Sequence, residues 1–188
     1  NAGLIYGQII YNKAPVVMGK IIELMGEDAF REGIREYLHT YAYSNATWDD
    51  LIRILDRHTP EDLIAFNDAW VNRKGMPIIR FMPRGKTLEI RQKDRYAPGI
   101  VRPQRFAVTL VAKGQTDTTL EVNLRDSLVR LTLPFTPERV LPNTDGRAYG
   151  LLIPDTASRD WLLAHWHETT DETTRLARLM LLHENYQA

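Results

Sequence analysis

The sequence contains no cysteine, which excludes disulfide bonds, thiolate metal ligands and cysteine nucleophiles. It also lacks any run of about 18 consecutive apolar residues, the length that a membrane-spanning helix requires. Neither a G-x-S-x-G nucleophile motif nor a glycine-rich phosphate loop is present. With 44% hydrophobic and 26% charged residues, the composition is that of a soluble globular protein, and it indicates no particular compartment.

The chain has no net charge, yet its charges are unevenly distributed. Residues 1–79 carry 8 basic and 11 acidic side chains, residues 80–154 carry 13 and 7, and residues 155–188 carry 3 and 6. The basic middle segment raises the hypothesis of a nucleic-acid-binding module. Its arginines are scattered and lack the interleaved aromatic residues typical of such surfaces, so we predict no nucleic-acid partner.

Two histidine–glutamate pairs resemble the beginning of the H-E-x-x-H zinc motif, but neither completes it. His167-Glu168 has Asp171 where the second histidine is needed, and His183-Glu184 is followed by Asn185-Tyr186. A zinc site requires at least three protein ligands. We therefore predict solvated or helix-packing histidines and no metal site in this chain.

The hydrophobic period divides the chain into three segments. Residues 15–74 show helical spacing and predict four helices, the third opened by a capping box at Thr47 and the fourth by Thr59-Pro60 with Lys74-Gly75 at its end. From residue 78 the period changes to two. Short strands are predicted at 78–82, 87–91, 106–112, 119–124, 128–133 and 149–153.

Beyond Pro154 the helical period returns, at 158–167 and again from 170 to about 186, with Leu176, Leu179 and His183 along one face of the second helix. The pattern predicts an α+β multidomain chain. Its parts are a helical domain at 1–77, a small antiparallel β-sandwich at 78–154 and the start of a further helical domain at 155–188.

The order and spacing of several short motifs across some 70 residues resemble the last quarter of the catalytic domain of the membrane alanyl aminopeptidase family of zinc gluzincins. The family has Tyr-x-Lys before an apolar helix, then Leu-Gly-Glu-x-x-Phe, Tyr-Leu, aromatic-Asn-Ala-Thr-x-x-Asp-Leu, and finally Trp with Gly-x-Pro. The corresponding residues here are 11–14, 24–30, 37–38, 43–51, and Trp70 with 75–77. The sequence departs from the commonest family version at Asn12, Ala14 and Met25.

The resemblance implies the helical end of a thermolysin-like catalytic domain, followed by a β-sandwich and a large helical domain. It also implies that Tyr11 stabilises the oxyanion formed at the scissile peptide bond, opposite a catalytic zinc. Spacing alone favours an ordinary packed aromatic residue beside Ile9 and Ile10, whereas the resemblance favours the catalytic role.

The H-E-x-x-H helix of that family does not occur in these 188 residues, and the chain opens on Asn1-Ala2-Gly3 without methionine. We therefore expect a part of a longer zinc-dependent aminopeptidase, with zinc and peptide substrates bound by the parent and no activity in the part alone. The alternative is a non-catalytic aminopeptidase-like scaffold for protein interaction.

Overall fold

The computed structural model describes residues 14–187 and divides into two compact units, one ending at Arg73 and the other beginning at Lys74. Tyr11, the predicted catalytic residue, lies outside the described residues. The predicted α+β class is confirmed, because one unit is helical and the other combines two small sheets with helices. The predicted domain boundaries near Met76-Pro77 and Pro154 stay predictions.

The described residues of the first unit form four α-helices and one π-helical turn. They are α1 (Ala14–Met25), α2 (Glu27–Thr40), α3 (Trp48–Asp56), α4 (Leu63–Asn67) and the turn Asp68–Asn72. Gly26, with φ of 85°, separates the first two helices. This position favours glycine because an L side chain is strained at positive φ.

The predicted capping box at the start of α3 is confirmed. The Thr47 side chain accepts a hydrogen bond from the backbone N–H of Asp50 at 3.2 Å, and the backbone N–H of Thr47 donates to the Asp50 carboxylate at 2.9 Å. The hydroxyl of Thr47 also donates to this carboxylate at 2.6 Å, and these bonds lower the pKa of Asp50. Local chemistry alone therefore determines where this helix begins.

The fourth helix differs from its prediction at both ends. It begins at Leu63 rather than after Thr59, because the Asp62 carboxylate caps the backbone N–H of Ala65 at 2.7 Å. At Asp68 it widens into the π-helical turn, which ends before Lys74. Leu63, Phe66 and Trp70, which share one face of this segment at helical spacing, are all buried.

The second unit is a two-sheet sandwich with two helices. Its elements are β1 (Pro77–Arg84), β2 (Thr87–Asp94), β3 (Gln104–Val111), β4 (Thr118–Leu124), β5 (Leu128–Thr132), β6 (Arg139–Pro142), β7 (Leu151–Ile153), α5 (Thr156–His165) and α6 (Glu172–Gln187). One sheet has the strand order β5-β2-β1-β7 and the other has the order β4-β3-β6. The predicted sandwich is thus present.

Two details of the sandwich correct the sequence prediction. Strand β6 was not predicted, and β7 pairs with β1 in parallel, so the first sheet is mixed rather than purely antiparallel. Strand β6 has only four residues, too few for a period of two to be recognised. The direction of β7 depends on its long-range partner, which the local pattern does not encode.

The two sheets and both final helices share one hydrophobic core. Phe81 and Phe106 meet edge to face across the two sheets, with ring centroids 6.0 Å apart, and Leu162 of α5 and Leu181 of α6 join the same cluster. Leu176 and Leu179, which their spacing places along one face of the last helix, are exposed. Ala177 and Leu181 are the buried residues of that helix instead.

No helix in the described part of the chain is both long enough and apolar enough to cross a lipid bilayer.

Candidate active site

Helix α1 is the described element that directly follows the Tyr11-Asn12-Lys13 segment. Pro15 stands in its first turn, where the missing N–H costs no hydrogen bond, and is the exposed residue of the helix. Val17 and Ile21 are buried, which places an apolar stripe along one face. The chain is therefore held by packing from Ala14 onward, immediately after the predicted catalytic segment.

Lys20 is a buried charged residue that the sequence analysis did not identify. Its side chain is 2% exposed, and its ammonium nitrogen lies 3.1 Å from the Glu23 carboxylate, one helical turn later. A buried ammonium is stable only when it is paired. The available signal was the position of Lys20 between Val17 and Ile21 on the apolar face, with an acid three residues away.

A polar cluster links α2 to the end of α3. Glu36 forms an ion pair with Arg57, and its carboxylate lies 2.7 Å from Nε2 of His58. Two hydrogen bonds lower the pKa of Glu36: the bond with His58 has the larger effect and the bond with Arg57 the smaller. Arg57 is exposed and Glu36 and His58 are half-buried, so the cluster is a surface ion-pair network between the two helices.

The π-helical turn lies beside a pocket of about 270 Å³, whose lining includes Ile52, Ile64 and Asn67. Asn67, at the end of α4, accepts a hydrogen bond from the indole N–H of Trp48 at 2.7 Å. Trp70, inside the turn, stacks on Phe66 with ring centroids 5.8 Å apart. These contacts explain why Asn67 and Trp70 are buried, since both side chains pack against residues of the helical unit.

The histidine–glutamate pairs form no metal site among the described residues. Helix α5 ends at His165, so His167-Glu168 lies in a turn and not on the predicted helix, and Nδ1 of His165 is 2.9 Å from the Glu168 carboxylate. Within residues 14–187, no three histidine, aspartate or glutamate side chains approach closely enough to hold a metal ion. The described residues therefore do not fit a zinc centre.

The most buried charge pair in the described chain joins Asp94 to Arg102. Asp94 is 1% exposed and Arg102 is 2% exposed. One oxygen of Asp94 pairs with the Arg102 guanidinium, and the other accepts the backbone N–H groups of Tyr96 at 2.8 Å and Ala97 at 2.7 Å. Asp94 thus holds the start of the loop that follows β2, at Tyr96 and Ala97.

Arg102 extends this arrangement in two further directions. Its guanidinium donates to the backbone carbonyl of Lys74 at 3.1 Å, and its backbone N–H donates to the side-chain oxygen of Gln92 at 3.1 Å. A buried guanidinium requires such partners, because unpaired buried charge is costly. The cluster of Asp94, Arg102 and their backbone partners is therefore a structural centre of the sandwich unit.

We predict that Gly75→Ala will destabilise the sandwich unit by roughly 2–3 kcal/mol. Gly75 has φ of 125°, and a Cβ added there would collide with the Asp94 carboxylate. Urea unfolding followed by circular dichroism measures the loss. Gly114→Ala is the matched control, because Gly114 has φ of 74° and open space around it, so only about 1 kcal/mol of backbone strain is expected. Equal losses in both variants would show that crowding against Asp94 has no effect.

Comparison with known proteins adds a family match in the first unit. Residues 1–70 match the family model described as "Peptidase family M1 domain". The chain is 28% identical over 126 residues to probable aminopeptidase 2 of Sulfurisphaera tokodaii, covering 66% of this chain and 16% of that protein. It is also 27% identical over 126 residues to leucyl aminopeptidase of Saccharolobus solfataricus, covering 66% and 16%.

A structural comparison extends the likeness to nearly the whole chain. The structure of aminopeptidase A from Legionella pneumophila in complex with aspartic acid matches with a TM-score of 0.68 and 18% identity, covering 92% of this chain and 21% of that one. At this identity the match concerns the fold alone. The chain spans about 16% of the length of the curated relatives named above.

Proposed function

We propose that this chain belongs to the M1 family of gluzincin aminopeptidases and is part of a zinc-dependent aminopeptidase that removes N-terminal residues from peptides. The observation that carries this proposal is the family match over residues 1–70, which includes the Tyr11-Asn12-Lys13-Ala14 motif. The related proteins named as aminopeptidases support the same reaction class.

In this proposal Tyr11 is the catalytic residue of the chain. Attack of water on a peptide carbonyl turns the carbonyl oxygen into an oxyanion, and the Tyr11 hydroxyl donates a hydrogen bond to that oxygen. Such a bond is stronger to the charged oxyanion than to the neutral carbonyl, so it lowers the barrier rather than merely binding substrate. Helix α1 begins three residues later and buries Val17 and Ile21.

Zinc supplies Lewis-acid chemistry in enzymes of this kind. Since residues 14–187 do not fit the metal, we propose that the intact enzyme holds zinc on other residues. The contribution of this chain is then the hydrogen-bond donor Tyr11 and the sandwich that follows the catalytic domain.

The proposal predicts that the 188-residue chain by itself binds no stoichiometric zinc and does not hydrolyse aminoacyl-anilides. Zinc is measured by elemental analysis after dialysis against a zinc-containing buffer, and hydrolysis is measured by release of the coloured aniline. If the 188-residue chain bound one equivalent of zinc and hydrolysed the substrate, the proposal that zinc is held by residues elsewhere in the intact enzyme would be wrong. The longer protein serves as the positive control, and failure of that protein to hydrolyse the substrate would favour the non-catalytic scaffold.

A further inference from the structure

The outward face of the four-stranded sheet concentrates basic side chains. Alternate residues such as Ile79 and Ile90 point into the core, which leaves their neighbours on the opposite face. The antiparallel register places Arg80 directly opposite Arg91, and Glu89 directly opposite Arg130. We call this surface the basic sheet face. Its charged members are Arg80, Arg84, Glu89, Arg91, Lys93 and Arg130.

Among the described residues of the basic sheet face, Glu89 is the one carboxylate, and it pairs with two of the cations. Glu89 is 6% exposed, and its Oε2 lies 3.0 Å from Arg130 and 3.6 Å from Arg91. Within residues 14–187, Arg80 and Lys93 form no ion pair, and both side chains are exposed. The face therefore keeps most of its positive charge in solvent.

The position of Arg80 directly opposite Arg91 destabilises the sheet. Like charges directly opposite each other on neighbouring antiparallel strands are destabilising. On the outward face of the other sheet, the register of the described strands sets no like charges opposite each other: Arg105 stands opposite Asn123, Ala107 opposite Glu121 and Val111 opposite Arg139. The repulsion is therefore local to one face of the sandwich, and an anionic partner would relieve it.

We infer that the basic sheet face is a docking surface for an acidic polypeptide segment, a role that lies beyond the proposed peptidase reaction. Arginine guanidinium groups match carboxylates in geometry as well as in charge. The outward positions of the described strands β1, β2 and β5 hold no aromatic ring on which a nucleic-acid base could stack. Half-buried Ile78, Met82 and Leu128 lie between the cations instead, and they suit a peptide whose acidic residues alternate with apolar ones.

Fluorescence anisotropy with a labelled poly-glutamate peptide tests this surface on the 188-residue chain. We expect binding that weakens as salt is raised, because exposed charges are screened. Arg80→Glu should weaken it by about tenfold or more, since it reverses a central charge. The same change places a carboxylate opposite Arg91, so the melting temperature should rise by about 1–3 °C, which shows that lost binding does not come from unfolding.

Lys113→Glu is the matched control, because it makes the same change in net charge at the exposed turn between β3 and β4. It should leave the affinity unchanged. Three results would overturn the inference: no binding of poly-glutamate at low salt, an equal loss in the Lys113 variant, or binding of a single-stranded oligonucleotide without binding of poly-glutamate. The last result would identify a nucleic-acid surface instead.

Discussion

Arg102→Met should lower the free energy of unfolding of the sandwich unit by about 3–5 kcal/mol, the usual cost of removing one partner from a buried ion pair. The variant keeps the length and apolar stem of the side chain, so the loss reports charge and hydrogen bonding more than cavity formation. It leaves the Asp94 carboxylate in a site that is 1% exposed, without its counter-ion. It also removes the donor to the Lys74 carbonyl.

Urea unfolding monitored by circular dichroism measures the effect, with Arg159→Met as the matched control. Arg159 forms an exposed ion pair with Asp160 at 2.8 Å, and such pairs contribute no more than about 1 kcal/mol. The double variant Arg102→Met with Asp94→Asn should recover part of the loss, because the amide oxygen still accepts the N–H groups of Tyr96 and Ala97 while the charge is gone. An Arg102 variant as stable as the control would mean that the pair contributes nothing.

The burial of Asp94 and Arg102 could not be predicted from the sequence pattern. Asp94 closes a strand and Arg102 lies in the following loop, so neither belongs to a periodic pattern that indicates burial. By contrast, the capping box at Thr47 is complete within four residues and was predicted correctly. A capping box can be predicted from neighbouring residues, whereas a pair between a strand end and a residue eight positions later is recognised only when the fold brings the two together.

The final helix shows the same limit for apolar residues. Its leucines occupy several positions around the helix axis, so spacing alone permitted more than one buried face. Packing of Leu181 into the sandwich core selected the face with Ala177, and left Leu176 and Leu179 exposed. The change of period near residue 78 was more informative, because it separated helices from strands wherever the strands were long enough.

The candidate site was predicted from a resemblance rather than from spacing. No single motif around Tyr11 indicates catalysis. The catalytic role was predicted from the order and spacing of the motifs between residues 11 and 77. The family match over residues 1–70 supports that series. The role of Tyr11 stays a prediction, since this residue lies outside the described part of the chain.

In the longer aminopeptidase that we propose contains this chain, Tyr11→Phe should lower kcat by about 10²–10³, the typical cost of losing one oxyanion donor. The variant removes only the hydroxyl and keeps the ring, so packing is retained. Because that hydrogen bond matters most in the transition state, KM should change little. Zinc content should also be unchanged, because the proposed role of Tyr11 is hydrogen bonding to substrate and not metal binding. Steady-state kinetics on an aminoacyl-anilide, with elemental analysis of the same samples, measure all three quantities.

Tyr43→Phe provides the control, because Tyr43 belongs to the same helical unit and is fully exposed. It removes an identical hydroxyl where no substrate is proposed to bind, so kcat should equal that of the unaltered enzyme. Full turnover in the Tyr11 variant would remove this residue from the mechanism without affecting the family match over residues 1–70. A loss of zinc together with activity would indicate a structural role instead, because a pure oxyanion donor can be removed without disturbing the metal.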